Sequence, residues 1–164
     1  FAKTQKKVLL IDCDMRLGRQ HEIFGLSNAE GLSNLLAEKA TKKYNKYMRR
    51  TTVKNLSVIT RGVVPPNPSE LLDSAEMEEL LNEVKQKFNY IILDGTPIDG
   101  LSDSLILAKK ADRTVLVSAA NMTTIEDLQN SKKSLESIDV KVSGLVLNRT
   151  VDERRGDNYN KYYN

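Results

Sequence analysis

The sequence predicts an α/β domain with a mainly parallel sheet and helices on both of its faces. Short apolar runs typical of strands alternate with segments of helical periodicity. Several of these runs are continuously apolar, as in strands that are buried on both sides. Two of them end in aspartate, at the position where ligands bind in open α/β sheets.

The composition is that of one soluble domain with an ordinary core. The chain has 164 residues, 40% of them hydrophobic and 29% charged, and its net charge of +3 gives no support to nucleic-acid binding. Cys13 is the single cysteine, which excludes an intrachain disulfide and a cysteine metal cluster. Neither a membrane-spanning stretch nor a signal peptide is present in the sequence, so a cytoplasmic location is expected.

The first predicted strand covers residues 8–11 and leads directly into Asp12, Cys13 and Asp14. Side chains alternate along an extended strand, so the two carboxylates would share one side. Two close anions are costly unless a cation or hydrogen-bond donors balance them. A strand followed by an ordinary acidic turn explains this short pattern equally well.

The segments around this strand give weaker signals. Residues 1–7 are typical of the last turn of a helix, which predicts that further sequence precedes them. Residues 17–25 are interpreted as an irregular connection whose His21 is structural rather than catalytic. A short helix is predicted from residue 31, and the basic segment 39–50 is interpreted as a solvated helix face or loop.

The middle of the chain carries clearer signals. Residues 55–60 alternate as a strand does, and the prolines that follow fix an extended segment. Asn67 is predicted to cap a helix that begins at Pro68, and a longer amphipathic helix is predicted over 75–88.

The last part of the chain repeats the strand–helix alternation. Residues 90–94 predict a buried strand that ends at Asp94, and Thr123 with Glu126 predicts a capping box. The other predicted elements are a turn at 95–97, a helix over 102–110, a buried strand over 114–118, a helix ending near residue 138 and a strand over 142–147.

Polar side chains follow several of these strands and define a candidate site. Asp12, Asp14, Asp94 and Asn148 all lie at the carboxyl ends of predicted parallel strands, so all of them can face one crevice. Carboxylates without histidine or cysteine suit Mg²⁺, which is usually held together with substrate phosphates. A phosphate site also needs a glycine-rich loop with a lysine, but no glycine here is followed by lysine.

Four motifs then occur in the order typical of one family. Residues 8–16 match a deviant second Walker motif (aliphatics, then D-x-D-x-R), and residues 65–72 match P-P-N-P-x-E-L-L. Residues 91–94 occupy a Walker B position, and residues 144–149 are similar to G-x-V-L-N-R. The chain thus resembles, over essentially its whole length, the bacterial tyrosine kinases of capsule and exopolysaccharide synthesis.

The resemblance implies an ATP-dependent, autophosphorylating protein-tyrosine kinase built on a P-loop fold of the MinD/ParA-like ATPase superfamily. By this resemblance, Asp12 is the base or a ligand of a Mg²⁺-bound water, Asp14 a second carboxylate at the phosphates, and Asp94 the Walker B residue near Mg²⁺. Asn148 would lie by the adenine of ATP with Arg149 nearby.

The resemblance also implies an organisation and partners. Residues 1–151 would form the kinase-like domain, and residues 152–164 a mobile tail with autophosphorylation sites at Tyr159, Tyr162 and Tyr163. The implied partners are a membrane activator of the polysaccharide co-polymerase type, further copies of the chain in a ring held by tail-to-site contacts, and a tyrosine phosphatase. The protein would lie at the inner face of the cell membrane through its activator.

Some features depart from the family pattern. The Walker A loop and the upstream helix used for ring assembly are not found in residues 1–164, so this stretch alone is expected to be inactive. The Walker B tail reads Asp94-Gly95-Thr96-Pro97 in place of D-T-P-P, and Leu17-Gly18 follows Arg16 where the family often has Arg-Pro.

Two alternatives from other classes remain. A MinD/ParA-like ATPase would share the strands and aspartates but is not expected to carry the proline-rich segment or the tyrosines. A catalytically inactive interaction module would fit a chain without a phosphate loop. A G-x-x-x-x-G-K-[ST] motif upstream would favour the kinase.

Overall fold

A computed structural model describes residues 1–98 and 102–150, and these residues fall into two compact units that divide between Asp112 and Arg113. The strands are β1 (Val8–Asp12), β2 (Met48–Arg50), β3 (Leu56–Ile59), β4 (Tyr90–Asp94), β5 (Thr114–Ala119) and β6 (Val142–Asn148). The α-helices are α1 (Gln20–Phe24), α2 (Leu32–Ala37), α3 (Pro68–Asp73), α4 (Ala75–Lys85), α5 (Asp103–Lys110) and α6 (Ile125–Glu136). Short 3₁₀ helices cover Ala2–Thr4 and Thr41–Lys46.

The sheet of the first unit has the strand order β2-β3-β1-β4. Its central strand β1 pairs in parallel with β3 and β4, and this register sets Val8 opposite Leu56 and Tyr90. Only β2 runs antiparallel, along the outer edge of β3. The predicted α/β class with mainly parallel pairing is therefore confirmed.

The core of the first unit lies between this sheet and helices α2 and α4. Leu9 and Ile11 of β1 are fully buried, as expected for a central strand. Helix α4 begins at a Ser74 cap, whose hydroxyl accepts from the Met77 N–H at 3.3 Å, and buries four apolar side chains at helical spacing. Each fully buried aliphatic side chain contributes about 1.5–3 kcal/mol, so β1 is held firmly at the centre of the unit.

The basic segment 39–50 is not the solvated face or loop that its charge predicts. Tyr44 and Tyr47 are buried, and the Tyr47 hydroxyl donates to Glu38 Oε2 at 2.7 Å. The Tyr44 ring, in the 3₁₀ helix Thr41–Lys46, and the Tyr47 ring, directly after it, point into the core, while all three lysines of the helix stay exposed. The segment then ends in β2, so the expectation from its lysines alone is wrong.

Three local predictions also need correction. The connection after Arg16 is not irregular throughout, because it contains α1, which ends at Gly25 with φ +62°. Helix α6 has its capping box one residue later than predicted, at Thr124 and Asp127. Helix α3 does begin at Pro68, but the Asn67 side chain donates to Glu70 instead of capping the helix.

The second unit contains β5, α6 and β6, and its two strands are parallel. The predicted burial of β4 and β5 is wrong for part of each strand, since Ile92 is 39% exposed and Val117 67% exposed. Within the part of the chain that the structure describes, β4 pairs only with β1 and β5 only with β6, so each has one unpaired edge. The predicted division into a domain over 1–151 and a tail over 152–164 stays a prediction, and that tail lies outside the described residues.

Across residues 1–98 and 102–150, no helix is both long and apolar enough to span a membrane.

Candidate active site

The carboxyl ends of β1 and β4 bring two of the predicted aspartates together. Asp12 and Asp94 are direct register partners across the parallel pair. Beyond them, the backbone N–H groups of Cys13 and Asp14 both donate to the Asp94 carbonyl oxygen, at 2.8 and 3.1 Å. The two strand ends are therefore joined where both carboxylates emerge.

Asp12 is an unusual carboxylate because it is fully buried and only one of its two oxygens accepts a hydrogen bond. Its Oδ2 accepts the Gln20 backbone N–H at 3.1 Å, whereas its Oδ1 has no hydrogen-bond partner among the described residues. Burial raises the pKa of Asp12 to about 6, with further increases from the charges of Asp94 and Asp14, although the Gln20 N–H and Arg61 oppose the shift. Such a group can exchange a proton near neutral pH.

The loop between β1 and α1 folds back over this carboxylate. A Cβ built on Gly18 would lie 2.6 Å from Asp12 Cγ, still closer to its Oδ1, and would also overlap the Asp14 carbonyl oxygen. Only glycine allows so close an approach of backbone to side chain. The Gly18 carbonyl oxygen in turn accepts from Arg61 Nε at 3.0 Å, which fixes the loop against the end of β3.

Asp14 has a structural task in the same loop. Its Oδ1 accepts the backbone N–H groups of Arg16 and Leu17, at 3.1 and 2.8 Å, and its carbonyl oxygen accepts the Gly18 N–H at 2.8 Å. An aspartate that bonds its own following backbone stabilises a tight turn. The role predicted for Asp14 at the phosphates stays a prediction.

Arg16 links the loop to the two helices that follow the proline-rich segment and the Walker B turn. Its Nε lies 2.9 Å from Oδ2 of Asp103, which is only 1% exposed, and Ser69 of α3 donates to Oδ1 of the same carboxylate. Burial alone would raise the pKa of Asp103, but the hydrogen bonds and charge from Arg16, together with the Ser69 bond, hold it below its ordinary value. This network connects the D-x-D-x-R motif to α3 and α5.

The carboxylates of Asp12 and Asp94 suit a Mg²⁺ ion that is also bound by the phosphates of a ligand. They do not suit a metal site whose ligands all come from the protein. The described residues contain no group of three or more histidine, cysteine, aspartate or glutamate side chains placed to hold a metal ion. Asp12 and Asp94 supply two carboxylates, and the buried Oδ1 of Asp12 is an acceptor without a donor. Mg²⁺ commonly binds one or two carboxylates and completes its shell with water and phosphate oxygens.

Two other predicted site residues, Asn148 and Arg149, belong to the second unit. Asn148 is the last residue of β6 and Arg149 follows it, and Asn148 Oδ1 accepts the Arg149 N–H at 2.8 Å. Their expected place in one crevice with the aspartates stays a prediction. Residues Tyr159, Tyr162 and Tyr163 lie outside the described part of the chain.

Sequence reasoning missed Gln20 and Asp103. The Gln20 side chain donates to Asp94 Oδ2 at 2.6 Å, but only the folding back of the loop brings these residues together. A signal existed for Asp103, because an aspartate among serines at a helix start following D-G-T-P suits a buried polar contact. Gly18 had a signal too, since it lies two residues after the D-x-D-x-R motif and glycine permits a close approach of backbone to a neighbouring group.

Comparison with known proteins agrees with the motifs and this geometry. The model of an AAA domain family matches residues 1–146. The chain is 36% identical over 162 residues to the putative tyrosine-protein kinase CapB of Staphylococcus aureus, and the match covers 99% of this chain and 70% of that protein. It is 35% identical over 162 residues to the tyrosine-protein kinase wzc of Salmonella typhimurium, covering 99% of this chain but 22% of that protein.

Solved structures give the same result. The kinase domain of the Escherichia coli tyrosine kinase ETK superposes with a TM-score of 0.87 and 35% identity, covering 93% of this chain and 59% of that one. The cell division ATPase MinD of Pyrococcus furiosus superposes with a TM-score of 0.70 and 22% identity, covering 89% and 60%, which shows a common fold alone. The chain thus spans about a fifth of the length of wzc and more than two thirds of CapB.

Proposed function

Because this chain belongs to the AAA-domain family of bacterial tyrosine-protein kinases, we propose that it forms the catalytic part of an ATP-dependent kinase that phosphorylates its own tyrosines. The proposal extends to control of capsular or exopolysaccharide synthesis and export. The observation that supports it most is the buried Asp12 carboxylate, with one free oxygen and a pKa of about 6, directly opposite Asp94.

In this proposal Asp12 and Asp94 would hold Mg²⁺ together with the phosphates of ATP, which would supply the phosphoryl group and leave as ADP. The Asp12 carboxylate, whose Oδ1 has no hydrogen-bond partner among the described residues, would accept the proton of the attacking tyrosine hydroxyl. In the metal-free protein the pKa of Asp12 is raised to about 6, chiefly by burial, so the carboxylate is mostly ionised at neutral pH and able to accept a proton. The loop at Gly18 shields this carboxylate from water on one side.

The finer assignments of the nucleotide site belong to the same proposal. Asp14 is proposed as a second carboxylate at the phosphates while it also stabilises the turn after β1. Asn148 is proposed to contact the adenine, with Arg149 beside it. Their support is their position at strand ends within motifs that match the kinase family.

The tail tyrosines are the proposed phosphate acceptors. Each added phosphate brings about −1.5 to −2 charges at neutral pH. Several such groups near the carboxylates of an adjoining subunit would repel them, so a ring of subunits held by tail-to-site contacts would loosen as phosphorylation proceeds. A membrane activator of the polysaccharide co-polymerase type would hold the ring at the inner face of the membrane, and a tyrosine phosphatase would reset it.

The experiment uses the full-length gene product with Tyr159, Tyr162 and Tyr163 all changed to phenylalanine. Autophosphorylation is expected to fall to a small fraction of the wild-type level, and the oligomer is expected to persist in ATP and Mg²⁺ when its size is measured by light scattering. Tyr90→Phe is the matched control, because Tyr90 lies on β4 and is partly exposed. Wild-type labelling and wild-type dissociation in the triple variant would exclude the tail as the switch.

A further inference from the structure

Gln20 is the one described residue that donates to both carboxylates, through its backbone N–H to Asp12 and its side-chain amide to Asp94, and nothing in the family motifs assigns it a role. We infer that Gln20 is a positioning residue that fixes one oxygen of each carboxylate and leaves Oδ1 of Asp12 without a protein donor, as a cation ligand requires. This inference rests on the proposed function for its purpose, but the contact itself does not depend on kinase activity.

The fold explains why position 20 can reach both partners. Gln20 is the first residue of α1, and backbone N–H groups in the first turn of a helix have no partner within the helix. The backbone N–H of Gln20 donates to Asp12 Oδ2 at 3.1 Å. Its side-chain Nε2 then donates to Asp94 Oδ2 at 2.6 Å. One residue therefore supplies a separate donor to each aspartate.

The choice of a neutral donor matters for a cation site. Two carboxylates side by side repel each other, and hydrogen-bond donors reduce that cost. A lysine or arginine at position 20 would cancel their negative charge, whereas the Gln20 amide orients Asp94 and keeps the charge available. Oδ1 of Asp12 also stays free, because Gln20 engages Oδ2.

If Gln20 only filled space, exchanging the hydrogen-bond donor and acceptor between positions 20 and 94 would not restore stability. Such an exchange therefore separates a positioning role from a space-filling role. Gln20→Glu sets a carboxylate against Asp94 and is expected to weaken the protection of β1 amides at least about tenfold in hydrogen-exchange mass spectrometry of the full-length gene product. Gln20→Glu combined with Asp94→Asn restores a hydrogen bond in the opposite direction. That pair is expected to regain most of the lost protection.

Asp14→Asn provides the matched control for simple relief of charge. It removes the same charge from the same site, and an asparagine can still accept the two N–H groups of its turn. In the double variant Gln20→Glu with Asp14→Asn, the hydrogen-exchange protection of the β1 amides is expected to recover by less than about threefold. The reason is that Gln20 donates to Asp94 and not to Asp14. Equal recovery by the two aspartate changes would overturn the inference.

A second measurement tests the purpose of the bridge without turnover. Mn²⁺ binding to the full-length gene product, followed by electron paramagnetic resonance, is expected to weaken about tenfold in Gln20→Met, which removes the side-chain amide and keeps the backbone N–H. Glu22→Gln, an exposed change on the same helix, is expected to leave binding unchanged. Unchanged Mn²⁺ binding in Gln20→Met would overturn the positioning role. Absence of tyrosine phosphorylation in the wild type would refute the proposed kinase function but would leave the exchange experiment fully interpretable.

Discussion

Replacement of Asp12 by asparagine is expected to stabilise the first unit at neutral pH, although it removes a proposed catalytic group. The carboxylate is fully buried, and its Oδ1 has no partner among the described residues. An asparagine side chain at this position can still accept the Gln20 N–H, and it carries no charge into the interior. The substitution therefore removes the electrostatic cost of the buried charge and keeps this hydrogen bond, and the gain is at most that cost because the new Nδ2 is a buried donor.

The size of the expected gain in stability follows from the raised pKa of Asp12. In the folded chain the pKa of Asp12 is raised, chiefly by burial, from an ordinary 3.8 to about 6. A difference of roughly two units corresponds to about 3 kcal/mol of lost stability when the group is ionised in both states, at about 1.36 kcal/mol per unit. This cost is fully present above the folded pKa and disappears as the pH falls from about 6 to below about 4.

Thermal unfolding of the full-length gene product at about pH 7.5 and about pH 4 checks both the size and the sign. A gain of up to about 3 kcal/mol corresponds to at most roughly 6–12 °C for a domain of about 150–250 residues. Asp112→Asn is the control, because Asp112 is 83% exposed and its replacement is expected to leave the melting temperature unchanged. An Asp12→Asn protein that melts below wild type at neutral pH, or gains equally at both pH values, would refute this reasoning.

Two further substitutions test the site loop, one at Gly18 within it and one at Asp103 of α5, which pairs with Arg16 of the loop. Gly18→Ala is expected to destabilise the unit by about 1–3 kcal/mol, because its Cβ would overlap the Asp12 carboxylate and neighbouring backbone. Calorimetry against Gly144→Ala, which meets its nearest atom at 4.0 Å, checks this, and equal melting temperatures would contradict it. Asp103→Asn is expected to cost about 1–2 kcal/mol in urea unfolding at neutral pH, since it loses the charge paired with Arg16, which is partly exposed. The lowered pKa of Asp103 means that this deficit should vanish as the pH falls through that pKa, and a deficit that persists in acid would exclude the ionic explanation.

The parts of the fold that depend on local sequence could be predicted. The runs before Asp12 and Asp94 are continuously apolar and therefore specify strands without help from distant residues. Parallel pairing of β1 and β4 then sets the two carboxylates side by side. The prediction for residues 39–50 was wrong because lysines dominate the segment, while the burial of Tyr44 and Tyr47 depends on the core they meet.

The parts of the site that depend on contacts between residues distant in sequence could not be predicted. Gln20 follows Asp12 by eight residues and precedes Asp94 by 74, and no spacing rule connects the three. The pKa of Asp12 likewise depends on its complete burial, which the acidic motif does not reveal. Sequence could identify the carboxylates, but only the structure separates the buried, half-satisfied Asp12 from Asp14, which stabilises its own turn.

The proposed function depends most directly on whether the Asp12 carboxylate is needed for phosphate transfer to tyrosine. The decisive measurement is the initial rate of phosphotyrosine formation by the full-length gene product with ATP and Mg²⁺, compared among wild type, Asp12→Asn and the exposed control Asp112→Asn. A positioned base contributes about 10²- to 10⁴-fold, so Asp12→Asn is expected to lose at least about a hundredfold while the control keeps the wild-type rate. Phosphotyrosine formation at the wild-type rate in Asp12→Asn would contradict the assignment of this carboxylate.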